Sequence, residues 1–373
     1  MRSLAIILVS MSLVVGFCIG KVSGQDSKSF TQYSDHKRIP GYQALKLNNP
    51  QVFQGNKRTR KYFEGWYFKM VSGDGHAVLS VIPGLSLSEE GNDQHAFIQI
   101  IDGRTALTDY YIFPVKDFYF SSDSFAIKIG NNYFSKEKLI LDICNDSTSI
   151  KGEIQMHNHT ELPVGSCLNT GIMGWYRFVP LMQCYHGLVS LDHQLEGTIR
   201  INNKEYSFKE GKGYIEKDWG SSMPSAWIWL QSNNFGQNNA SLMLSVAHIP
   251  WLGSSFTGFL GFLLYNGEIH RFATYTNAKI NIQTLGPDSL TISISDKKYN
   301  ICIDAIRSKS GMLKAPMKGS MDRRIPEGID AKLFLRVIDK KGMLVLSDST
   351  SIAGLELVGD VQTLIRKERK KQR

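Results

Sequence analysis

Two stretches of this chain concentrate the side chains best suited to proton chemistry beside an apolar ligand. One reads Gly211-Lys212-Gly213-Tyr214-Ile215-Glu216-Lys217-Asp218-Trp219-Gly220-Ser221-Ser222 and continues through Pro224 to Trp227, Trp229 and Gln231. The other is Lys61-Tyr62-Phe63-Glu64-Gly65-Trp66-Tyr67-Phe68-Lys69, large aromatics alternating with charges around one glycine. Four of the six tryptophans fall in these two stretches. On a strand, Glu216 and Asp218 point to one face, while Ile215, Lys217 and Trp219 point to the other. Two carboxylates on one face repel when both are ionised. If that face is a dry interior, one of them holds its proton to unusually high pH. An outward-facing pair matched by Lys or Arg is the alternative.

Period-two patterning supplies the strands that would position these groups. Ile199 and Ile201 lead into Asn202-Asn203, with Tyr206 and Phe208 alternating on the way out. Phe262-Leu263-Leu264-Tyr265 reaches Asn266-Gly267, a two-residue hairpin signal because both positions tolerate positive φ. Leu290, Ile292 and Ile294 alternate before Asp296-Lys297-Lys298, and Tyr299, Ile301 and Ile303 after it. Leu333, Leu335 and Val337 run into Asp339-Lys340-Lys341-Gly342, and Leu139/Leu141/Ile143 and Ile150 to Met156 follow the same grammar. The fold class is therefore all-β, built of antiparallel barrels or sandwiches, with a short helix expected within 351–366. From Gly165 to Gly187 the alternation stops, with Gly171, Gly174 and Pro180 in the run. That region reads as a long structured connection, and it sets a boundary near Ser190 between domains at 35–190 and 191–365.

The chain has 373 residues, 42% hydrophobic and 21% charged, which excludes a disordered polymer. Of the formal +9, the tail RKERKKQR at 366–373 carries +5, and Arg2 and Lys21 carry +2, which leaves a body of about +2. A nearly balanced body argues against nucleic acid as a partner, and the tail suits peripheral contact with an anionic membrane or a solvated end. Arg2, the uncharged apolar run Leu4 to Ile19, and Val22-Ser23-Gly24 before Gln25 read as a signal peptide at 1–24, with an uncleaved anchor as the alternative. Cys18 as a lipoprotein acceptor is disfavoured by Phe17, which stands where a small residue is needed. Export, periplasmic or secreted, leaves Cys144, Cys167, Cys184 and Cys302, wide in spacing and without a CxxC pair, which argues against a zinc site and leaves a single Cys167–Cys184 bridge across a long loop or no bridge as the alternatives. Sequons start at Asn145, Asn158 and Asn239. No phosphate-cradling glycine loop and no HExxH set is present, and no cofactor is called for.

Several of these segments resemble the tocopherol cyclase-like proteins. The resemblance rests on FEGWYFK, on Met173-Gly174-Trp175-Tyr176 through Cys184-Tyr185-His186-Gly187, and on GYIEKDWGSSMPSAWIWLQSN. Gly311-Met312-Leu313-Lys314-Ala315-Pro316 with Gly319, Met321 and Arg323 extends it, so that it covers about residues 40–360. It implies two lipocalin-like β-barrel halves related to carotenoid hydratases. It also implies closure of the chroman ring of a prenylated quinol: a proton adds to a trisubstituted double bond and the phenolic oxygen captures the tertiary cation.

That reaction sets requirements on the residues. A carboxylic acid with a pKa near 4 is protonated in about one part in a thousand at pH 7, a cost of roughly 4 kcal/mol, most of which a rise of about three units recovers. Asp218 is the expected acid with Glu216 as its partner, because Asp218 adjoins Trp219 in the most distinctive run. A tertiary cation needs aromatic faces without nucleophilic water, and Trp66, Tyr67, Trp219, Trp227 and Trp229 are the candidates, unless they are core. Tyr185-His186 would orient the phenol or relay its proton, and Glu64 would contact the same cavity. The departure from plant members is the secretory-type leader in place of a plastid transit peptide, which leaves the substrate open. Three functions remain: a cofactor-independent cyclase of a prenyl quinol or similar isoprenoid lipid, a carrier of a hydrophobic ligand, and an isoprenoid hydratase or isomerase.

Overall fold

The computed structural model describes residues 28–35, 39–146, 148–163, 171–179, 182–251, 254–284 and 286–365. The leader, the basic tail and Cys167 lie outside the described residues, and with them the signal-peptide, membrane-contact and disulfide expectations. The described residues form two antiparallel sheets of 13 and 10 strands. The all-β expectation, two lipocalin-like halves, describes this architecture.

The first sheet runs in sequence from Phe30–Gln32 to Gly211–Gly220, and the second from Trp227–Ser232 to Leu344–Val358. Within the first, Gly211–Gly220 lies between Cys184–Ile201 and Tyr62–Val71, which places the two chemically distinctive stretches side by side. Asn266-Gly267 makes its hairpin between Ser254–Tyr265 and Glu268–Ala273, with φ of +50° and +75° at the two turn residues. Among the described residues of 351–365 the expected helix does not form. The strand Leu344–Val358 runs on and is followed only by a 3-10 turn at Val361–Leu364, because Leu355 and Leu357 alternate against the neighbouring strand Trp227–Ser232.

Alternation sorts the apolar residues into three cores. One fills the first half (Trp66, Phe68, Ile215, Trp219 among others), one fills the second (Ile228, Leu230, Leu355), and one lies between the halves (Tyr67, Tyr214, Trp227, Trp229, Met243). The strands that face the partner half are therefore buried on both sides. Buried side-chain hydrogen bonds also join the halves. Gln99 makes a reciprocal pair with the backbone of Lys314 at 3.0 and 2.9 Å, and Ser241 Oγ donates to Leu191 O at 2.7 Å.

Ser190, near which a domain boundary was expected, falls inside the strand Cys184–Ile201; the chain passes between sheets at Gly220 to Trp227. The irregular stretch before that strand connects two strands of the first sheet, Ser149–Thr160 and Cys184–Ile201. It is tied to the second half, where Arg271 Nη1 donates to Gly171 O at 2.8 Å and Tyr275 OH to Ile172 O at 2.5 Å. Its described residues 171–179 are thus held against the second half.

Candidate functional site

Tyr214, Glu216 and Asp218 alternate along Gly211–Gly220 and face the space between the sheets. On one side, Asp218 pairs in register with His186 and Glu216 with Leu188; on the other, Asp218 pairs with Gly65 and Glu216 with Tyr67. Gly65 thus lines the cavity beside Asp218. His186 Nδ1 stands 2.9 Å from Asp218 Oδ1, and its Nε2 stands 3.5 Å from Glu216 Oε2. The second sheet closes the site from above. Trp229 Nε1 donates to Glu216 Oε2 at 3.2 Å, and Tyr214 OH donates to the same oxygen at 2.6 Å. The Trp229 ring lies over Gly354, where a Cβ would come within 2.4 Å of it, so only glycine permits this seat.

A cavity of about 200 Å³ opens from this cluster between the sheets. Its walls are mainly apolar, among them Phe97, Met173, Phe259, Leu313 and Ile325, with Tyr67, Trp227 and Trp229 presenting aromatic faces. An apolar cavity of roughly 150 Å³ accepts a benzene-sized guest, so this one has room for an aromatic ring and a few further carbons, and because it is not closed the rest of a longer chain can extend through its mouth.

Burial pushes the Glu216 carboxyl up to about 7; Asp218 adds to the rise, while His186 and the Tyr214 and Trp229 donors oppose it. For His186 burial works against the charged form, but Asp218 and Glu216 outweigh it and raise the imidazole to about 9. The cluster therefore holds protons at neutral pH, with His186 as an imidazolium hydrogen-bonded to Asp218 through Nδ1 and facing Glu216 with an Nε2 that has no hydrogen-bond partner among the described residues. Cys184 lies at the same wall, its Sγ 3.9 Å from Asp218, and burial raises its thiol well above the ordinary range. The donor atoms of His186, Glu216 and Asp218 lie within 4.8 Å of one another, a spacing that a metal ion could span. The set fits a proton better. Glu216 Oε2 already accepts two hydrogen bonds, and a metal would require the imidazole in its neutral form.

Of the residues singled out in the sequence, His186, Glu216, Asp218, Tyr67, Trp227 and Trp229 meet at this cavity. Glu64, Trp66 and Trp219 do not, because alternation turns them into the first half's own core. Glu64 is bound there by Lys217 at 2.5 Å, the Gln54 and Gly55 amides and the Tyr62 hydroxyl. Trp66 and Trp219 cover the Lys217 ammonium, at 4.6 and 5.0 Å. Tyr185 stacks on Trp219 with ring centroids 5.6 Å apart and so also leaves the cavity. Sequence reasoning missed Glu327, Glu356, His248 and Gln99, all on the cavity wall. Glu356 sits between Leu355 and Leu357, and period two assigns such a residue to solvent; only the covering sheet makes its face internal.

A model of the family described as tocopherol cyclase-like matches residues 161–359. The chain belongs to the tocopherol cyclase-like family. The matched range contains the His186, Glu216 and Asp218 cluster and the 311–323 motif, and it begins after FEGWYFK. Among curated relatives, the probable chloroplastic tocopherol cyclase of Oryza sativa subsp. japonica is 23% identical over 198 residues, which cover 50% of this chain and 42% of that protein. The chloroplastic tocopherol cyclase of Zea mays is 23% identical over 201 residues, covering 50% of this chain and 41% of that one. The match thus spans about two fifths of each relative's length. Among solved structures, CghA with Sch210972 superposes with a TM-score of 0.51 at 10% identity, over 80% of this chain and 89% of CghA, a likeness of fold.

Proposed function

We propose that this protein is a cofactor-independent acid–base catalyst that closes an oxygen ring on a prenylated phenol or quinol held between its two sheets. The observation that carries this reading is the proton-holding cluster of His186, Glu216 and Asp218 set in the wall of an apolar, aromatic-lined cavity. Membership of the tocopherol cyclase-like family supports it.

The Glu216 carboxyl donates its proton to the less substituted carbon of a trisubstituted double bond. Positive charge develops on the tertiary carbon, facing the rings of Tyr67, Trp227 and Trp229. The phenolic oxygen bonds to that carbon as its O–H breaks, and Asp218 takes the proton. His186 hydrogen-bonds Asp218 and lies 3.5 Å from Glu216, so it passes a proton across and restores the starting state. Nothing is gained or lost, and the step is an isomerisation. The sequence favoured Asp218 as the acid. Glu216 is the more deeply buried, its side chain 6% exposed against 25% for that of Asp218, so the roles are proposed in this order.

The test is incubation of purified protein with a geranylated hydroquinone in detergent across pH 5–8, with products read by mass spectrometry. A cyclic isomer of unchanged mass is expected. A product carrying one added water would indicate a hydratase, and unchanged substrate in the presence of tight binding would leave a carrier.

A further inference from the structure

The second sheet brings a separate pair of carboxyl groups to the same cavity. Glu327 and Glu356 are direct cross-strand partners on Ser320–Asp339 and Leu344–Val358. Both line the cavity, and Glu327 is 1% exposed. Like charges at directly opposed positions are destabilising, and two buried carboxylates cannot both ionise, so the pair shares a proton. Trp227 Nε1 donates to Glu356 Oε2, which settles the ionised form on Glu356. Glu327 is the neutral partner: burial and the neighbouring Glu356 charge hold its carboxyl well above the usual range.

Glu327 Oε1 is buried and has no hydrogen-bond partner among the described residues. Native proteins rarely leave such an atom unmade, because its desolvation is uncompensated. It belongs to a residue lining a cavity whose other walls are mostly apolar. A hydroxyl on the guest would satisfy it.

We propose that Glu327, backed by Glu356, is the polar anchor that binds a hydroxyl of an otherwise apolar aromatic ligand and so selects phenols and quinols over plain hydrocarbons. This deepens the cyclase reading, on which its choice of ligand class rests, but it concerns binding and does not depend on turnover. A guest fixed at Glu327 has its polar end held by the second sheet while the His186 cluster acts from the first.

The probes are a geranylated hydroquinone and geranylbenzene, which share the prenyl chain and differ in the hydroxyls. Binding is followed anaerobically by quenching of tryptophan fluorescence in full-length protein carrying Glu216→Gln, so that conversion does not interfere. Glu327→Leu is expected to weaken the hydroquinone about tenfold while leaving geranylbenzene unchanged or tighter. Glu327→Gln, which keeps size and polarity, is expected to give a smaller loss of the same kind and serves where the leucine variant does not fold. Equal effects on both probes, or no effect on either, would overturn the anchor. A wild-type protein that yields no cyclic product but keeps the Glu327-dependent preference would sink the cyclase reading and leave the anchor standing.

Discussion

The strand Gly211–Gly220 carries a buried ionic cluster on each face, and the two are built to opposite rules. On the inner face, Lys217 and Glu64 meet at 2.5 Å. The Lys217 ammonium also donates to Pro50 O at 2.9 Å and Val52 O at 2.6 Å, and Glu64 accepts from the two backbone amides and the Tyr62 hydroxyl. Aromatic rings cover the pair. One residue along, the face between the sheets puts one imidazole among carboxyl groups and leaves the cavity on the remaining side. On the first face Lys217 and Glu64 are matched one to one and their polar atoms are bonded; the second face has more carboxyls than cations. A completed cluster holds the barrel together. An incomplete one beside a cavity keeps protons available for a guest.

The sharpest way to break this contrast is Lys217→Met, which leaves Glu64 buried without its cation and should cost about 3–5 kcal/mol in urea denaturation. A cost near that of a surface ion pair would mean that the inner cluster is not structural. Glu216→Gln should do the reverse: turnover falls by roughly 10²–10⁴-fold, while the unfolding midpoint stays or rises because repulsion with Asp218 is removed. Should it destabilise as much as Lys217→Met, the two faces would be of one kind.

pH refines the comparison. Glu216 binds its proton more tightly folded than unfolded, so its contribution to stability is complete below the ordinary carboxylate range and declines as pH rises towards about 7. The raised His186 contribution is complete below about 6.5 and is lost as pH rises through about 9. Thermal unfolding should therefore show stability falling across this span, less steeply in Glu216→Gln, and turnover should fall above about pH 7 as the acid loses its proton. The smallest change is expected from Trp229→Phe. Losing one donor to the Glu216 carboxylate should move that pH midpoint upward by roughly one unit, since a hydrogen bond to a charged group is worth about 1.5–3 kcal/mol at most.

Much of this was legible in the chain. Strand positions followed from alternation, and the motif GYIEKDWG already set Glu216 and Asp218 on one face with Lys217 and Trp219 on the other. His186 was found through its motif, and its distance from Asp218 of 32 residues in sequence hid the direct pairing that the register makes. The roles of Glu64, Trp66 and Trp219 were misread because richness in aromatics and charge looks the same whether the strand face turns towards a ligand or towards its own barrel. Glu327 and Glu356 gave no signal, since an isolated glutamate in an alternating strand has the pattern of an exposed one.

The sequence by itself determined the class of fold, the strands and which neighbours share a face, because side-chain direction in a strand is set by the local backbone. Only the tertiary structure decided which faces are dry. Burial on both sides of a sheet comes from the packing of the second half against the first, and no local pattern encodes it. That packing lifts Glu216, pairs Glu327 with Glu356 beside a cavity, and encloses Glu64 with Lys217 in a core.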